Sequence, residues 1–212
     1  MKKVSSFELM EYIVTYPKNF DKNKKYPVIL FLHGAGERDR LDKVNLYGPV
    51  HEMDNGMDLD FIVLSPFCEG LNTWFNYLER LNRLLIKFKK NTYVDTSRIY
   101  VTGLSMGGYG SLTLAMAYPN HFAAIAALCG GGMAWNSDMI KDIPTLLIHG
   151  DKDLSVDVGE SIRFKEKLDE YGGKVTLKIM EGYDHNVWSD TYNKKEFYDW
   201  LLASDILSSP IE

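Results

Sequence analysis

The chain has 212 residues, 45% of them hydrophobic and 25% charged, the balance of one globular domain over 1–212 and not of a disordered chain. Its formal net charge of −5, with Lys and Arg mixed among acids, excludes the basic stripe that a nucleic-acid partner requires. No run approaches the roughly 18 apolar residues that span a bilayer, acids follow the basic start too soon for a signal sequence, and Cys68 and Cys129 have no metal-binding spacing, so a cytoplasmic protein with two buried thiols, no metal, no cofactor and no membrane insertion is expected.

In chain order, residues 11–16 predict an early edge strand that leads into a polar turn at 19–25. The uninterrupted apolar run Val28-Ile29-Leu30-Phe31-Leu32 predicts a strand buried on both faces, and 61–64, 99–102, 124–128 and 145–148 read the same way. Between them, Leu78, Leu81, Leu84, Leu85 and Phe88 recur at three- and four-residue intervals with Glu79, Arg80, Arg83 and Lys87 interleaved, which predicts an amphipathic helix leaning on a sheet. Further helices are expected at 106–118, about 158–171 and about 195–203, with a late strand at 174–180 after the Gly172-Gly173 break. Strands alternating with helices imply an α/β protein: a mostly parallel sheet with helices on both faces, in three layers.

The chemistry concentrates where the strand at 99–102 runs into Gly103-Leu104-Ser105-Met106-Gly107 and then into a small-residue helix start, Gly108-Tyr109-Gly110-Ser111. A serine on so sharp a strand-to-helix turn has the context of a nucleophile elbow; Gly103 and Gly107 are needed because side chains there would collide with neighbouring backbone. A serine hydroxyl is a poor nucleophile without a base in reach and a third group to orient that base. Asp151 and Asp153 follow the strand at 145–148 and so emerge at the carboxyl end of the sheet, where α/β proteins place their sites. Asp153 is preferred, because Asp151, next to Gly150, is better placed to hold the turn through nearby amides. Among five histidines, His33 ends a strand and suits fixing a loop, His149 sits on a strand, and His51 and His121 lie in no motif. His185, in the polar loop Glu181-Gly182-Tyr183-Asp184-His185-Asn186 after the last strand, is the base candidate.

A developing oxyanion needs preorganised donors. The candidates are the backbone amides of Met106, at the start of the elbow helix, and of Ala35, with Gly34 as its alternative, in the glycine-rich segment His33-Gly34-Ala35-Gly36-Glu37-Arg38. Glu37 and Arg38 are read as neighbours that hold this loop. Trp74, Trp135 and Trp188 each follow a strand on the same side and are candidates to line a substrate cleft, with ordinary packing as the alternative.

Taken together, Leu32 to Arg38, Arg98 to Gly110, Phe122-Ala123-Ala124, Cys129-Gly130-Gly131-Gly132, His149-Gly150-Asp151-Lys152-Asp153 and Gly182 to Trp188 resemble the small bacterial carboxylesterases of the α/β-hydrolase superfamily, the group described as phospholipase/carboxylesterase, dienelactone-hydrolase-like or prolyl-oligopeptidase-like esterases. The resemblance covers about residues 10–203. It implies the three-layer α/β-hydrolase fold and a metal-free triad of Ser105, Asp153 and His185, the second Asp of His-Gly-x-x-Asp being the catalytic one. The family often has Pro after the Val of this segment, whereas here Val156 is followed by Asp157, a departure that alters a helix entry and not the triad. Cap domains of the superfamily commonly enter after the sixth strand, but only about 15 residues separate Cys129 from Pro144, so no substantial cap is expected. The implied function is hydrolysis of small-molecule carboxylic esters, short-chain or bulky. Acyl-thioester or lysophospholipid hydrolysis by the same triad is the alternative; peptide hydrolysis and a non-catalytic binding relative follow behind.

Overall fold

The computed structural model describes residues 1–206. It begins with a hairpin, β1 (Lys2–Phe7) and β2 (Met10–Thr15), which turns through Glu8 and Leu9, both at positive φ, 48° and 65°. There follow β3 (Tyr26–Leu32), α1 (Pro49–Asp54), β4 (Ile62–Pro66), α2 (Leu78–Phe88), β5 (Val94–Leu104), α3 (Met106–Ala117), β6 (Ala124–Leu128), β7 (Thr145–Gly150), α4 (Gly159–Glu170), β8 (Val175–Met180), α5 (Ser189–Tyr192) and α6 (Lys195–Leu202). Among the described residues the strands form one eight-stranded sheet in the order β1-β2-β4-β3-β5-β6-β7-β8. β2 runs antiparallel to β1 and β4, and every other neighbouring pair is parallel.

The apolar runs need burial on both faces because successive strand side chains point to opposite sides. Val28, Leu30 and Leu32 of β3, with Ile62, Leu64, Val101 and Ile125, share one core with Leu84 and Phe88 of α2, Leu112 of α3 and Phe164 of α4. Ile29 and Phe31, with Val63, Tyr100 and Ala126, share the other with Val50 of α1, Tyr192 of α5 and Leu201 of α6. The apolar stripe of α2, Leu81, Leu84, Leu85 and Phe88, is buried as its spacing predicts. The result is the expected three-layer α/β architecture. Between β6 and β7 lies only a short 3-10 segment, Ala134–Ile140, and no cap is inserted there.

Two features depart from expectation. The predicted edge strand at 11–16 lies inside the sheet, because β1 pairs along its whole length. β1 escapes notice because Lys2, Lys3, Val4 and Ser6 are exposed, so it carries no apolar alternation. α1 is only six residues long and starts at a proline that follows Gly48 at φ 87°, too short for a periodic signal. Among the described residues no helix is long and apolar enough to cross a membrane.

For function, the important property of this topology is that the carboxyl ends of β3, β5, β6, β7 and β8 all open on one edge. They deliver residues 33–38, 105–110, 129–132, 151–157 and 181–188 to it.

Candidate active site

β5 ends at Leu104 and α3 begins at Met106, so the chain passes from strand to helix through one residue. That residue is Ser105, at φ 53° and ψ −118°, a backbone conformation disfavoured for an L side chain. The Leu128 carbonyl accepts its N–H at 2.9 Å. A Cβ on Gly107 would stand 1.8 Å from the Leu32 carbonyl oxygen, and one on Gly103 2.5 Å from the same atom. Without side chains at these two positions, the end of β3 rests directly against the turn. This close approach brings the loop after β3 beside the elbow. Met106, as first residue of α3, has an amide with no intrahelical acceptor, and Ala35 opens a single 3-10 turn, Ala35–Glu37.

Side chains tie that loop down. His33 is fully buried. Its Nε2 accepts the Cys68 amide at 3.0 Å, so Nδ1 carries the hydrogen and donates to the Gly34 carbonyl at 2.7 Å. Burial holds its pKa down to about 4, with the Gly34 bond opposing and Arg38 adding. Arg38 donates from Nε to the Ala35 carbonyl at 3.0 Å and from Nη1 to the Asn72 carbonyl at 3.1 Å, joining this loop to the one after β4. The Glu37 carboxyl is buried, and burial pushes its pKa up, with the neighbouring backbone of Gly34 and Glu37 opposing.

β7 and β8 supply an acid and an imidazole. Asp153 Oδ2 accepts the Nδ1–H of His185 at 2.6 Å, while Oδ1 accepts the amides of Ser155 and Val156 at 2.8 and 2.9 Å. Burial pushes the Asp153 carboxyl up, but the His185 bond and the two amides outweigh it and hold the group below the usual carboxylate range. Asp151 does something else: its Oδ1 accepts the Gly182 amide at 2.6 Å and so braces the loop that carries His185. A Cβ on Gly150 would lie 2.3 Å from the carbonyl oxygens of Tyr183 and Asp184, so this glycine lets the two loops close on each other. With Nδ1 donating to Asp153, the half-buried His185 leaves Nε2 as the ring nitrogen outside that bond.

The three tryptophans separate. Trp188 packs edge-on against the His185 ring, centroids 5.4 Å apart, with Tyr47 at 5.5 Å on it. Its Nε1 is buried without a hydrogen-bond partner among the described residues. Trp135 is 68% exposed in the segment after β6, near the exposed Met133. Trp74 corrects its expectation as a cleft-lining residue. It is 0% exposed and donates from Nε1 to the His33 carbonyl at 2.9 Å, because the turn after β4 directs the indole inward beneath α3, where Gly110 makes room for it. His149 is a residue that the sequence does not single out: it is fully buried at the end of β7, with Nε2 3.2 Å from Asp153 Oδ2. The spacing of four residues from Asp153 was its only signal, and a strand followed by a loop gives that spacing no fixed geometry.

A hydroxyl on a strained turn, an imidazole held by a buried carboxylate, and two loop amides on one sheet edge form a set suited to acyl transfer. The chain is similar to several known proteins. Over 97% of the chain, it superposes on 63% of a thermostable esterase of known crystal structure with a TM-score of 0.81 and 31% identity. It is 27% identical to a probable feruloyl esterase C of Aspergillus terreus over 77% of this chain and 62% of that protein. It is also 25% identical to dipeptidyl-peptidase 5 of Porphyromonas gingivalis over 95% of this chain and 36% of that protein. The chain thus spans less than two thirds of the length of each of these relatives. The model of the phospholipase/carboxylesterase family matches residues 69–197, well over half of the chain and inclusive of the elbow, the acid and the imidazole, and the protein is a member of that family, with the α/β-hydrolase fold.

Proposed function

We propose that the chain is a serine carboxylesterase that hydrolyses carboxylic esters through an acyl-enzyme. Ser105 Oγ attacks the ester carbonyl carbon and passes its proton to His185 Nε2, while Asp153 retains and orients the Nδ1–H. The amides of Ala35 and Met106 meet the oxyanion of the tetrahedral intermediate, each such donor being worth about 3 kcal/mol of barrier. The alcohol departs with the proton from His185, and water repeats the sequence in reverse to release the acid. The observation that carries this reading is the 2.6 Å bond between His185 and a buried Asp153 on the sheet edge that also presents Ser105 at φ 53°.

The uncapped edge and its exposed Leu71, Phe75, Met133, Trp135 and Leu154 suit short-chain or bulky acyl groups that need no enclosed tunnel, and the likeness to a feruloyl esterase favours aromatic acyl esters among them. The likeness to a dipeptidyl-peptidase along 95% of the chain favours amide hydrolysis as the second reading. Ser105→Ala is expected to lower kcat on p-nitrophenyl acetate by about 10⁴-fold or more and to abolish labelling by a fluorophosphonate. Retention of both in the folded variant overturns the assignment. Matched ester, thioester and amide substrates, compared by kcat/KM, are expected to rank ester first; a dominant amide activity selects the second reading.

A further inference from the structure

We infer that His149 is a positioning residue for the triad acid, a buried imidazole whose Nε2–H holds the Val156 carbonyl beside the carboxylate that receives His185. The inference rests on the esterase reading for its kinetic consequence but not for its hydrogen-bond assignment. Nε2 of His149 lies 3.0 Å from the Val156 carbonyl oxygen and 3.2 Å from Asp153 Oδ2. Both are acceptors, the carboxyl being held ionised by its own hydrogen bonds, so Nε2 carries a hydrogen. The other nitrogen, Nδ1, is 2.7 Å from Ser161 Oγ, which in turn lies 3.1 Å from the Gly130 carbonyl. Ser161 has one proton to give, either to Nδ1 or to Gly130. In either case Nε2 donates to the Val156 carbonyl.

The consequence is that the donors to Asp153 are held from behind. Oδ1 takes the Ser155 and Val156 amides and Oδ2 takes His185 at 2.6 Å, while His149 fixes Val156 through its carbonyl at 3.0 Å and stands 3.2 Å from Oδ2. Neither carboxylate oxygen can turn without breaking a bond. His149 is itself anchored from the far side, since Gly130 backs directly on the start of α3, where a Cβ would stand 2.8 Å from the Tyr109 nitrogen. A buried line of hydrogen bonds thus runs from the rear of the elbow helix through Ser161 and His149 to Val156, whose amide holds the acid, and it sets the acid in register with the helix that presents Ser105.

Wild-type protein labelled with ¹⁵N-histidine tests the assignment directly. NMR at pH 7 is expected to show His149 protonated at Nε2, and a bare Nε2 overturns the proposal whatever the activity. In His149→Leu the Nδ1–H resonance of His185 is expected to shift and kcat on p-nitrophenyl acetate to fall about tenfold with KM unchanged. His149→Gln, which keeps an N–H near the same point, is expected to recover kcat to within about threefold of wild type. A folded His149→Leu variant with wild-type kcat and an unmoved His185 resonance sinks the idea. Failure of the esterase reading shows separately, as loss of fluorophosphonate labelling of the wild-type protein.

Discussion

Trp74 illustrates what one side chain does for a backbone that must stay in place. Its indole is wholly buried, sits edge-on to the His33 ring at 4.9 Å between centroids, and donates to the His33 carbonyl, two residues before Ala35. Trp74→Phe keeps most of the bulk but leaves that buried carbonyl without its donor, a loss of about 1–3 kcal/mol. Urea denaturation is expected to show that loss, accompanied by a lower kcat and an unchanged KM for p-nitrophenyl acetate, because the loop that loosens is the one carrying the proposed oxyanion amide; a KM effect alone would return Trp74 to the substrate cleft. The sequence places Trp74, Trp135 and Trp188 alike, each after a strand on the catalytic side. What separates them is the direction of the turn that follows each strand, and no local residue pattern encodes it. The placing of Ser105 on a strand-to-helix turn and of His185 after the last strand is legible for the opposite reason: it depends on chain order and on a glycine-framed turn, both of which are local.

At the scale of elements, the loop between β7 and α4 divides its labour between two carboxylates. Asp153 holds His185, and Asp151 holds the amide of Gly182 in the facing loop. Asp153→Asn removes the acceptor that orients the imidazole and is expected to lower kcat by about 10³- to 10⁴-fold. Asp151→Asn retains an oxygen for Gly182 and is expected to leave kcat within about threefold, with a stability loss near 1 kcal/mol; steady-state kinetics on the pair of variants decides between the two carboxylates, and the reverse ranking overturns the assignment. The interior strands are legible because parallel strands covered on both faces must be uninterrupted apolar runs, as 124–128 and 145–148 are. The N-terminal ribbon is not. Its turn uses Glu8 and Leu9 at positive φ where glycine or asparagine is the usual sign, and β1 is polar because it has one neighbour and faces solvent along most of its length. The contact between His149 and Asp153 stays hidden as well, since it depends on how the loop folds back on its own strand.

For the molecule as a whole, a buried histidine and a half-buried one set an acid limit. His33 and His121 are each held down to about 4 from the ordinary 6.5 by burial, with Arg38 and Lys89 respectively adding. His121 donates to Asn82 Oδ1 at 2.7 Å. Below pH 6.5 the unfolded chain takes up protons at both positions that the folded protein refuses until about pH 4, so stability falls as pH drops through that window and is flat above it. The Asp153 carboxyl, depressed when folded, acts lower: its contribution is complete above the ordinary carboxylate range and is lost as the pH falls beneath it. The unfolding free energy from urea titrations is expected to drop steadily from pH 6.5 to 4.5, by about 4 kcal/mol in all, and His121→Asn is expected to remove about half of the drop. A midpoint constant over that range would contradict the burial of neutral imidazoles.

The seat of Leu32's carbonyl on the bare Cα of Gly107 joins the oxyanion loop to the elbow as one rigid block, and behind it Trp74, His33 and Arg38 lock the same block from below. Leu71 and Phe75 flank Asn72 and Trp74, two anchors of this block, and Leu154 follows Asp153, whereas the exposed Met133 and Trp135 stand on the separate segment after β6. Exchanging those two leaves the contacts of the block untouched, so the segment after β6 is where this edge can be reshaped without disturbing the turn that carries Ser105.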